Sequence, residues 1–431
     1  MTAVIMAGGK GTRIASLDDT VPKPMIKVCG KPILEHGISC LKENGITDIV
    51  IVTGHLGEQI PAYFGDGKAF GVNISYFHES EPLGTAGALF YLKDKLKEDF
   101  LLLNGDIVYN VDFSRMIAFH KEKHATATLL SHPNSHPYDS AILVTDENAK
   151  VTAWLNKEDE RHDCKNRVNA GIHLLSPSTL SCLCDGKKTD LDRDILKPLV
   201  SQGGVYAYDS PEYIFDVGTP ERHAKVSDDI LSGRVEQRNL KNKQIAVFAD
   251  RDGTLNVEAG FVSSPDQIEL IDGVAEAVAR VNASEYLLIV VTNQPVIARG
   301  DCDFDGLRKI HDRLETLLGK EDAYINDLFF CPHHPDSGFE GERAEYKIPC
   351  ECRKPAAGMI FEAAKKYNID LSRSYMIGDR ESDVLCGINA GCTPVFIGNE
   401  KKLDNVSEKV ACVKSFSQFV NDILSLNSEV K

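Results

Sequence analysis

Two carboxylates two residues apart, Asp250 and Asp252, stand in Asp250-Arg251-Asp252-Gly253-Thr254 directly after the apolar run Ile245-Ala246-Val247-Phe248. At a strand end such a pair can face one substrate, with Asp250 as nucleophile on phosphorus and Asp252 giving and then taking a proton. A phosphoryl group carried on Asp250 follows from that arrangement. The chemistry also needs a hydroxyl donor, a cation and a further metal carboxylate. Thr292 after Leu287 to Val291, Lys354, and Asp379 after Met376-Ile377-Gly378 supply them in chain order. We therefore expect a Mg2+ site drawing on Asp250, Asp252 and Asp379.

A second set of residues points to nucleotide chemistry. After the first apolar run come Gly8, Gly9, Lys10, Gly11, Thr12 and Arg13, then Pro22-Lys23-Pro24. Glycines after a strand let backbone N–H groups approach phosphates, and Arg13 and Lys23 would neutralise the remaining charge, so a triphosphate fits the loop. The spacing matches neither the dinucleotide fingerprint nor the Walker pattern. Asp106, after Phe100 to Leu103, and Asp216, after Tyr213-Ile214-Phe215, are expected at strand ends, where two carboxylates can jointly hold Mg2+. A metal so held, opposite a basic loop, suits in-line attack on an α-phosphate with pyrophosphate leaving.

A third constellation is Cys331-x-His333 followed by Cys350-x-Cys352, four N/S ligands suited to a closed, structural zinc site, with reduced thiols in a loop as the competing reading. Cys352 abuts Arg353-Lys354, so a metal there would fix the loop that brings two cations to a substrate phosphate.

These residues have to be positioned by strands and helices. Short apolar runs such as Ala3 to Met6, Ile49 to Val52 and Phe100 to Leu103 alternate with helix-length amphipathic stretches such as Pro32 to Asn44, which indicates a mostly parallel sheet covered on both faces. The class is α/β, in two domains. The polar stretch 233–243 reads as a linker between a domain at 1–232 and another at 244–431. A length of 431 residues excludes a single small module, and 42% hydrophobic content excludes a disordered chain. The net charge of −16 argues against nucleic acid or an anionic membrane as partner. No apolar run reaches membrane-helix length and no signal peptide is readable from Met1 to Gly11, so the expectation is a cytoplasmic protein with reduced cysteines.

The first half resembles the sugar-1-phosphate nucleotidylyltransferases through Met6 to Pro24, Leu83-Gly84-Thr85-Ala86-Gly87, Gly105-Asp106, Asn169-Ala170-Gly171 and Asp216 to Pro220. The resemblance implies a Rossmann-like sheet, with Gly84, Thr85 and Gly87 lining the base pocket, Asn169 and Gly171 touching the sugar, and Lys157 meeting the sugar phosphate. Around Lys157 the sequence departs from the usual Glu-Lys-Pro, which leaves a surface lysine as the competing reading. The second half, with its four ordered motifs, resembles the Mg2+-dependent phosphatases of the haloacid dehalogenase superfamily, with their Rossmannoid fold, and its zinc-type cluster narrows the likeness to the zinc-loop branch. Thr292 to Gly300 looks more like the heptose bisphosphate phosphatases than the histidinol phosphatases, with Pro295-Val296 in place of a small pair. The likeness implies substrate contacts for Asn293, Arg299 and Arg353. Together the resemblances imply dephosphorylation of a heptose 1,7-bisphosphate and nucleotidyl transfer to heptose 1-phosphate, with GTP favoured and CTP or dTTP open. Competing readings are a histidinol-type phosphatase joined to a hexose-1-phosphate nucleotidylyltransferase, and a domain retained as a non-catalytic scaffold.

Overall fold

The computed structural model describes residues 1–9, 18–338, 340–399, 403, 406 and 410–428. Contacts divide these into two compact units, one of residues 1–132, 141–156 and 168–239 and another of residues 133–140, 157–167 and 240–431. The division falls between Asn239 and Leu240, inside the stretch expected to be a linker, and two short segments from the first half of the chain belong to the second unit. Much of that stretch is not solvated. Arg238, Asn239 and Leu240 are buried, and within the first unit the Asn239 side chain donates to Asn110 Oδ1 at 2.6 Å. Charge-rich composition signalled exposure throughout, but Asn239 finds a buried partner within its own unit.

The first unit is built on nine strands: β1 (Thr2–Ala7), β2 (Asp48–Thr53), β3 (Asn73–His78), β4 (Phe100–Asn104), β6 (Ala127–His132), β7 (Ile142–Thr145), β8 (Val151–Leu155), β9 (Val168–Leu175) and β10 (Val205–Asp209). Along the main path the order is β8-β7-β9-β4-β1-β2-β3, with β6 and β10 branching from β9. The four central and edge strands β4, β1, β2 and β3 are parallel, and β9 adds antiparallel to β4. Side chains that alternate along a strand enter opposite cores. Val4, Val50 and Leu102 pack with Leu89 and Trp154 on one face, while Ile5, Ile51 and Leu103 pack with Leu34 and Ile38 of helix α1 (Ile33–Glu43) on the other. Burial on both faces is why the strands read as unbroken apolar runs, and each such side chain contributes about 1.5–3 kcal/mol.

A separate antiparallel ribbon, β5 (Ile107–Asn110) with β11 (Tyr213–Asp216), pairs Ile107 with Asp216. It leads into helix α2 (Pro220–Leu231), capped by Thr219, whose hydroxyl accepts from Arg222 N.

The second unit has a six-stranded, wholly parallel sheet of β12 (Ile245–Ala249), β13 (Tyr286–Asn293), β14 (Asp327–Cys331), β15 (Tyr375–Gly378), β16 (Thr393–Ile397) and β17 (Ala411–Val413), in the order β14-β13-β12-β15-β16-β17. All five residues of β12 are buried. Helices α3 (Val274–Ala283) and α4 (Phe304–Gly319) cover one face and α5 (Gly358–Tyr367) the other. Among the described residues, no helix is long and apolar enough to cross a membrane.

Candidate active sites

In the first unit the β5–β11 ribbon brings two distant acids together. Asp106 immediately precedes β5, Asp216 closes β11 opposite Ile107, and Val217 N donates to Asp106 O at 3.0 Å. Lys23 bridges them, its Nζ lying 2.5 Å from Asp106 Oδ2 and 3.3 Å from Asp216 Oδ1. Arg222, in the first turn of α2, holds the other Asp216 oxygen at 2.6 Å. The sequence reading expected Lys23, Asp106 and Asp216 at one site, and the structure gathers them. It missed Arg222, which lies only six residues after Asp216 and could have been found as a cation on the helix that the Gly218-Thr219-Pro220 turn starts. Two carboxylates still about a third exposed, facing a buried ammonium, form a set that could share a divalent cation with phosphate oxygens.

Gly8 and Gly9 follow β1, and Gly11, Thr12 and Arg13 lie outside the described residues. Glu79 follows β3 and accepts from Leu83 N at 3.4 Å. The loop of Gly84, Thr85 and Gly87 is packed onto residues 187–191. Gly84 has φ +84°, and a Cβ there would stand 2.4 Å from Thr189 O, so the position admits only glycine. The Thr85 hydroxyl accepts from Leu191 N at 2.7 Å and donates to Asp190 at 3.3 Å. Its side chain is thus engaged in holding the loop, and backbone is what the loop can offer a nucleotide. Asn169 Oδ1 accepts from Gly171 N and from the His173 ring, at an irregularity in the β9–β6 pairing. Lys157 belongs to the 157–167 segment of the second unit and is exposed; its described partner is Glu158, at 3.8 Å.

In the second unit three adjacent parallel strands deliver the chemistry to one edge. Asp250 follows β12, Thr292 is the penultimate residue of β13, and Asp379 follows β15. Ala249 is in register with both Val290 and Ile377, so Asp250, Thr292 and Asp379, one, two and two residues further on, emerge at the same edge of the sheet. Lys354 arrives on the loop before α5, is 3% exposed, and sits 2.8 Å from Asp250 Oδ1 and 2.6 Å from Asp383 Oδ1. It also donates to Val291 O at 2.9 Å. Asp250, Asp379 and Asp383 each place an oxygen within 4.8 Å of the others. Burial and then the Asp250 charge push the Asp379 carboxyl up to about 6. Burial pushes Asp383 up to about 7 against the pull of Lys354. Burial works against the Lys354 ammonium, but Asp250 and Asp383 more than offset it and hold it above its ordinary value. Three carboxylates against one ammonium leave an excess negative charge that a divalent cation would relieve. Gly253, at φ +76°, makes room, since a Cβ there would lie 2.3 Å from Asp379 Oδ2.

Asp252 was expected among the magnesium ligands; the described carboxylate cluster is Asp250, Asp379 and Asp383, and the Asp252 side chain stands outside it. Both Asp252 oxygens are engaged elsewhere: Arg251 donates at 3.0 and 2.7 Å, Asn256 at 2.9 Å and Gln294 at 3.0 Å. Burial raises its carboxyl, and the Arg251 charge with these hydrogen bonds outweighs that, leaving it below the usual value. Asp383 sits four residues beyond Asp379 in the first turn of helix α6 (Glu381–Ala390), and its Oδ2 accepts from Arg380 N; the i, i+4 pair of acids was the missed signal. Asn293, expected at the substrate, spends both ends of its amide on the Lys354 backbone, at 3.0 and 3.1 Å. It holds the Lys354 loop in place.

Arg353 donates to His333 O at 2.9 Å. Arg299 pairs with Asp301 at 2.8 Å and lies over the Phe261 ring at 4.1 Å, next to a loop whose Glu258 pairs with Arg380. Cys331, His333, Cys350 and Cys352 converge. The three sulfurs are 3.2–3.5 Å apart and His333 Nδ1 is 3.4 and 3.6 Å from two of them. A tetrahedral ion bound at ordinary Zn–S and Zn–N lengths sets edges of about 3.5–3.8 Å. The four ligands therefore fit such an ion with small adjustment.

A nucleotidyl transferase family model matches residues 2–233, and a HAD-hydrolase-like model matches residues 351–418. The mannose-1-phosphate guanylyltransferase of Mycobacterium tuberculosis is 33% identical over 235 residues, 54% of this chain and 65% of that protein. The chain thus spans just under two thirds of that relative. The UTP–glucose-1-phosphate uridylyltransferase of Synechocystis is 31% identical over 63% of this chain and 72% of its own length. A crystal structure of D,D-heptose 1,7-bisphosphate phosphatase from B. bronchiseptica, complexed with magnesium and phosphate, is 30% identical over 42% of this chain and 99% of its own, with a TM-score of 0.38.

Proposed function

Since the chain belongs to the nucleotidyl transferase family and continues into a HAD-like phosphatase domain, we propose that it acts twice on one sugar, first removing the 7-phosphate of D-glycero-D-manno-heptose 1,7-bisphosphate and then transferring GMP from GTP to the resulting heptose 1-phosphate. The observation that carries this reading is the presence of two separately built acid–lysine sites on one chain, Lys23 with Asp106 and Asp216, and Lys354 with Asp250, Asp379 and Asp383. A phosphatase that spares an anomeric phosphate yields the substrate that a nucleotidyltransferase requires. The manno configuration and guanine accord with the name of the M. tuberculosis relative, and the heptose with the Thr292 to Gly300 segment and the cysteine spacing.

In the phosphatase half, Asp250 attacks phosphorus, the bond to the C7 oxygen breaks, and Asp252 gives that oxygen its proton. Asp252 has to be protonated for this step, which the approach of the phosphate's negative charge favours. Asp252 then takes a proton from water, which attacks the aspartyl phosphate and releases orthophosphate. Lys354 stays charged and balances the phosphoryl oxygens, while Thr292 hydrogen-bonds to them. Mg2+, when bound by Asp250, Asp379 and Asp383, would neutralise phosphate charge. In the transferase half, an oxygen of the sugar phosphate attacks the α-phosphorus and pyrophosphate leaves. Lys23 and Arg222 orient Asp106 and Asp216, the residues that would hold Mg2+ there.

Zinc at the cysteine–histidine site is part of this proposal. Protein purified without chelator should contain ~1 equivalent of zinc, and Cys350→Ser should lose it along with several kcal/mol of stability. Elemental analysis and thermal melting measure both; zinc-free protein that melts like the parent sinks the assignment.

The substrate test is mass spectrometry of the products formed from the heptose bisphosphate with Mg2+ and equimolar GTP, ATP, CTP, UTP and dTTP. GDP-heptose as the main nucleotide sugar is expected. A preference for another base refutes the guanine assignment. Turnover of mannose 1-phosphate in place of heptose 1-phosphate refutes the heptose.

A further inference from the structure

Gln294 is 2% exposed at the end of β13, immediately beyond Asn293. Its side-chain amide makes three bonds: Nε2 donates to Asp252 Oδ2 at 3.0 Å and to Thr292 Oγ1 at 2.9 Å, and Oε1 accepts from Arg251 Nη2 at 3.0 Å. Its backbone N donates to the carbonyl of Cys331 at 2.8 Å. An amide nitrogen has two hydrogens, and both are used. The guanidinium, which can only donate, fixes which end of the amide is oxygen; the reversed amide would set N–H against N–H and oxygen against carboxylate. We propose that Gln294 is a positioning residue that holds the Asp252 carboxylate against Thr292, so that the acid–base group keeps a fixed distance from the phosphate-binding hydroxyl.

The physical consequence is a directional one. With Nε2 donating to it, the Thr292 oxygen accepts, and its O–H points its hydrogen elsewhere, toward where phosphate oxygens bind. Asp252 is tethered from one side by Arg251 and Asn256 and from another by Gln294. Without the Gln294 tether the carboxylate is held only from the side of the Arg251 guanidinium and the Asn256 amide. The main-chain link to Cys331 connects this tether to the cysteine–histidine loop, which gives that loop a second route to the site besides Arg353 and Lys354.

This role rests on the phosphatase reading, and the experiment separates the two. In the full-length protein, kcat/KM is measured for a primary sugar phosphate, phenyl phosphate and 4-nitrophenyl phosphate, with Gln294→Leu and the isosteric Gln294→Glu. This parameter reports the steps up to breakage of the ester bond. An alkoxide needs a proton to leave and 4-nitrophenolate does not, so a misplaced Asp252 should cost ~100-fold on the sugar phosphate and less than ~5-fold on 4-nitrophenyl phosphate. Asp252→Asn should show the same ordering more steeply. Losses of equal size on all three esters, or none, in both variants overturn the positioning role. Two variants are used because a packing defect in one would weaken all esters alike, and graded losses in either one sustain the proposal. A parent protein that hydrolyses none of the esters overturns the phosphatase reading and the role with it, an outcome distinct from equal losses in active variants.

Discussion

Asp250→Asn is expected to reduce orthophosphate release by on the order of 10^4 or more while leaving pyrophosphate release within about 2-fold of the parent. The substitution keeps the side-chain shape at a position only 6% exposed, so packing is preserved. It removes the carboxylate that follows β12 beside Lys354, and an amide oxygen is too weak a nucleophile to replace it. Lys354 keeps Asp383 at 2.6 Å, so the lysine is not left as an isolated buried charge. The Asp250 charge also raises the Asp379 carboxyl, and in the variant Asp379 should ionise at lower pH. The nucleophile is thereby lost without collapse of the site. Parallel assays on the same preparation, orthophosphate from the bisphosphate and pyrophosphate from supplied heptose 1-phosphate with GTP, decide the matter. Equal loss of both, in protein that melts like the parent, would contradict separate sites.

Asp106→Ala should act in the opposite sense, lowering pyrophosphate release by ~10^2 to 10^3 with orthophosphate release unchanged. Lys23 then loses its 2.5 Å partner and retains Asp216, which Arg222 already engages at 2.6 Å. One carboxylate would share two cations, and little negative charge would remain to hold Mg2+. The loss should therefore be partly recovered at high Mg2+, whereas the parent saturates at lower concentration. Transfer activity within 10-fold of the parent, at low and high Mg2+ alike, would remove Asp106 from the metal site.

Local pattern determined much of this protein. Runs such as Ile245 to Ala249 and Phe100 to Asn104 are apolar on both faces and so declare buried parallel strands, and acids placed just beyond them land at the carboxyl ends, where α/β sheets carry ligands. That is why the placement of Asp250, Asp379 and Asp106 beyond strand ends could be read in advance, whereas Asp216 closes an antiparallel ribbon instead, and why Cys331, His333, Cys350 and Cys352, short pairs with matched ligand chemistry, could be grouped. The two-domain α/β class followed from the same alternation.

Only the tertiary structure decided which of these groups meet and what each side chain is occupied with. Spacing suggested that Asp252 would join the metal carboxylates, but a buried Arg251 beside it claims both its oxygens, and Asp383 enters from a helix turn instead. Asn293 and Thr85 looked available for ligands, yet each is bonded to backbone brought near by chain far away, at Lys354 and Leu191. Arg222 carried no motif of its own and Gln294 only its place within Thr292 to Gly300, and each acquires a role through a partner across the site. Sequence fixes which groups exist and how far apart along the chain they lie. Pairing of a buried polar group depends on whatever the fold places within 3 Å of it, because a donor or acceptor withdrawn from water has to find its partner there.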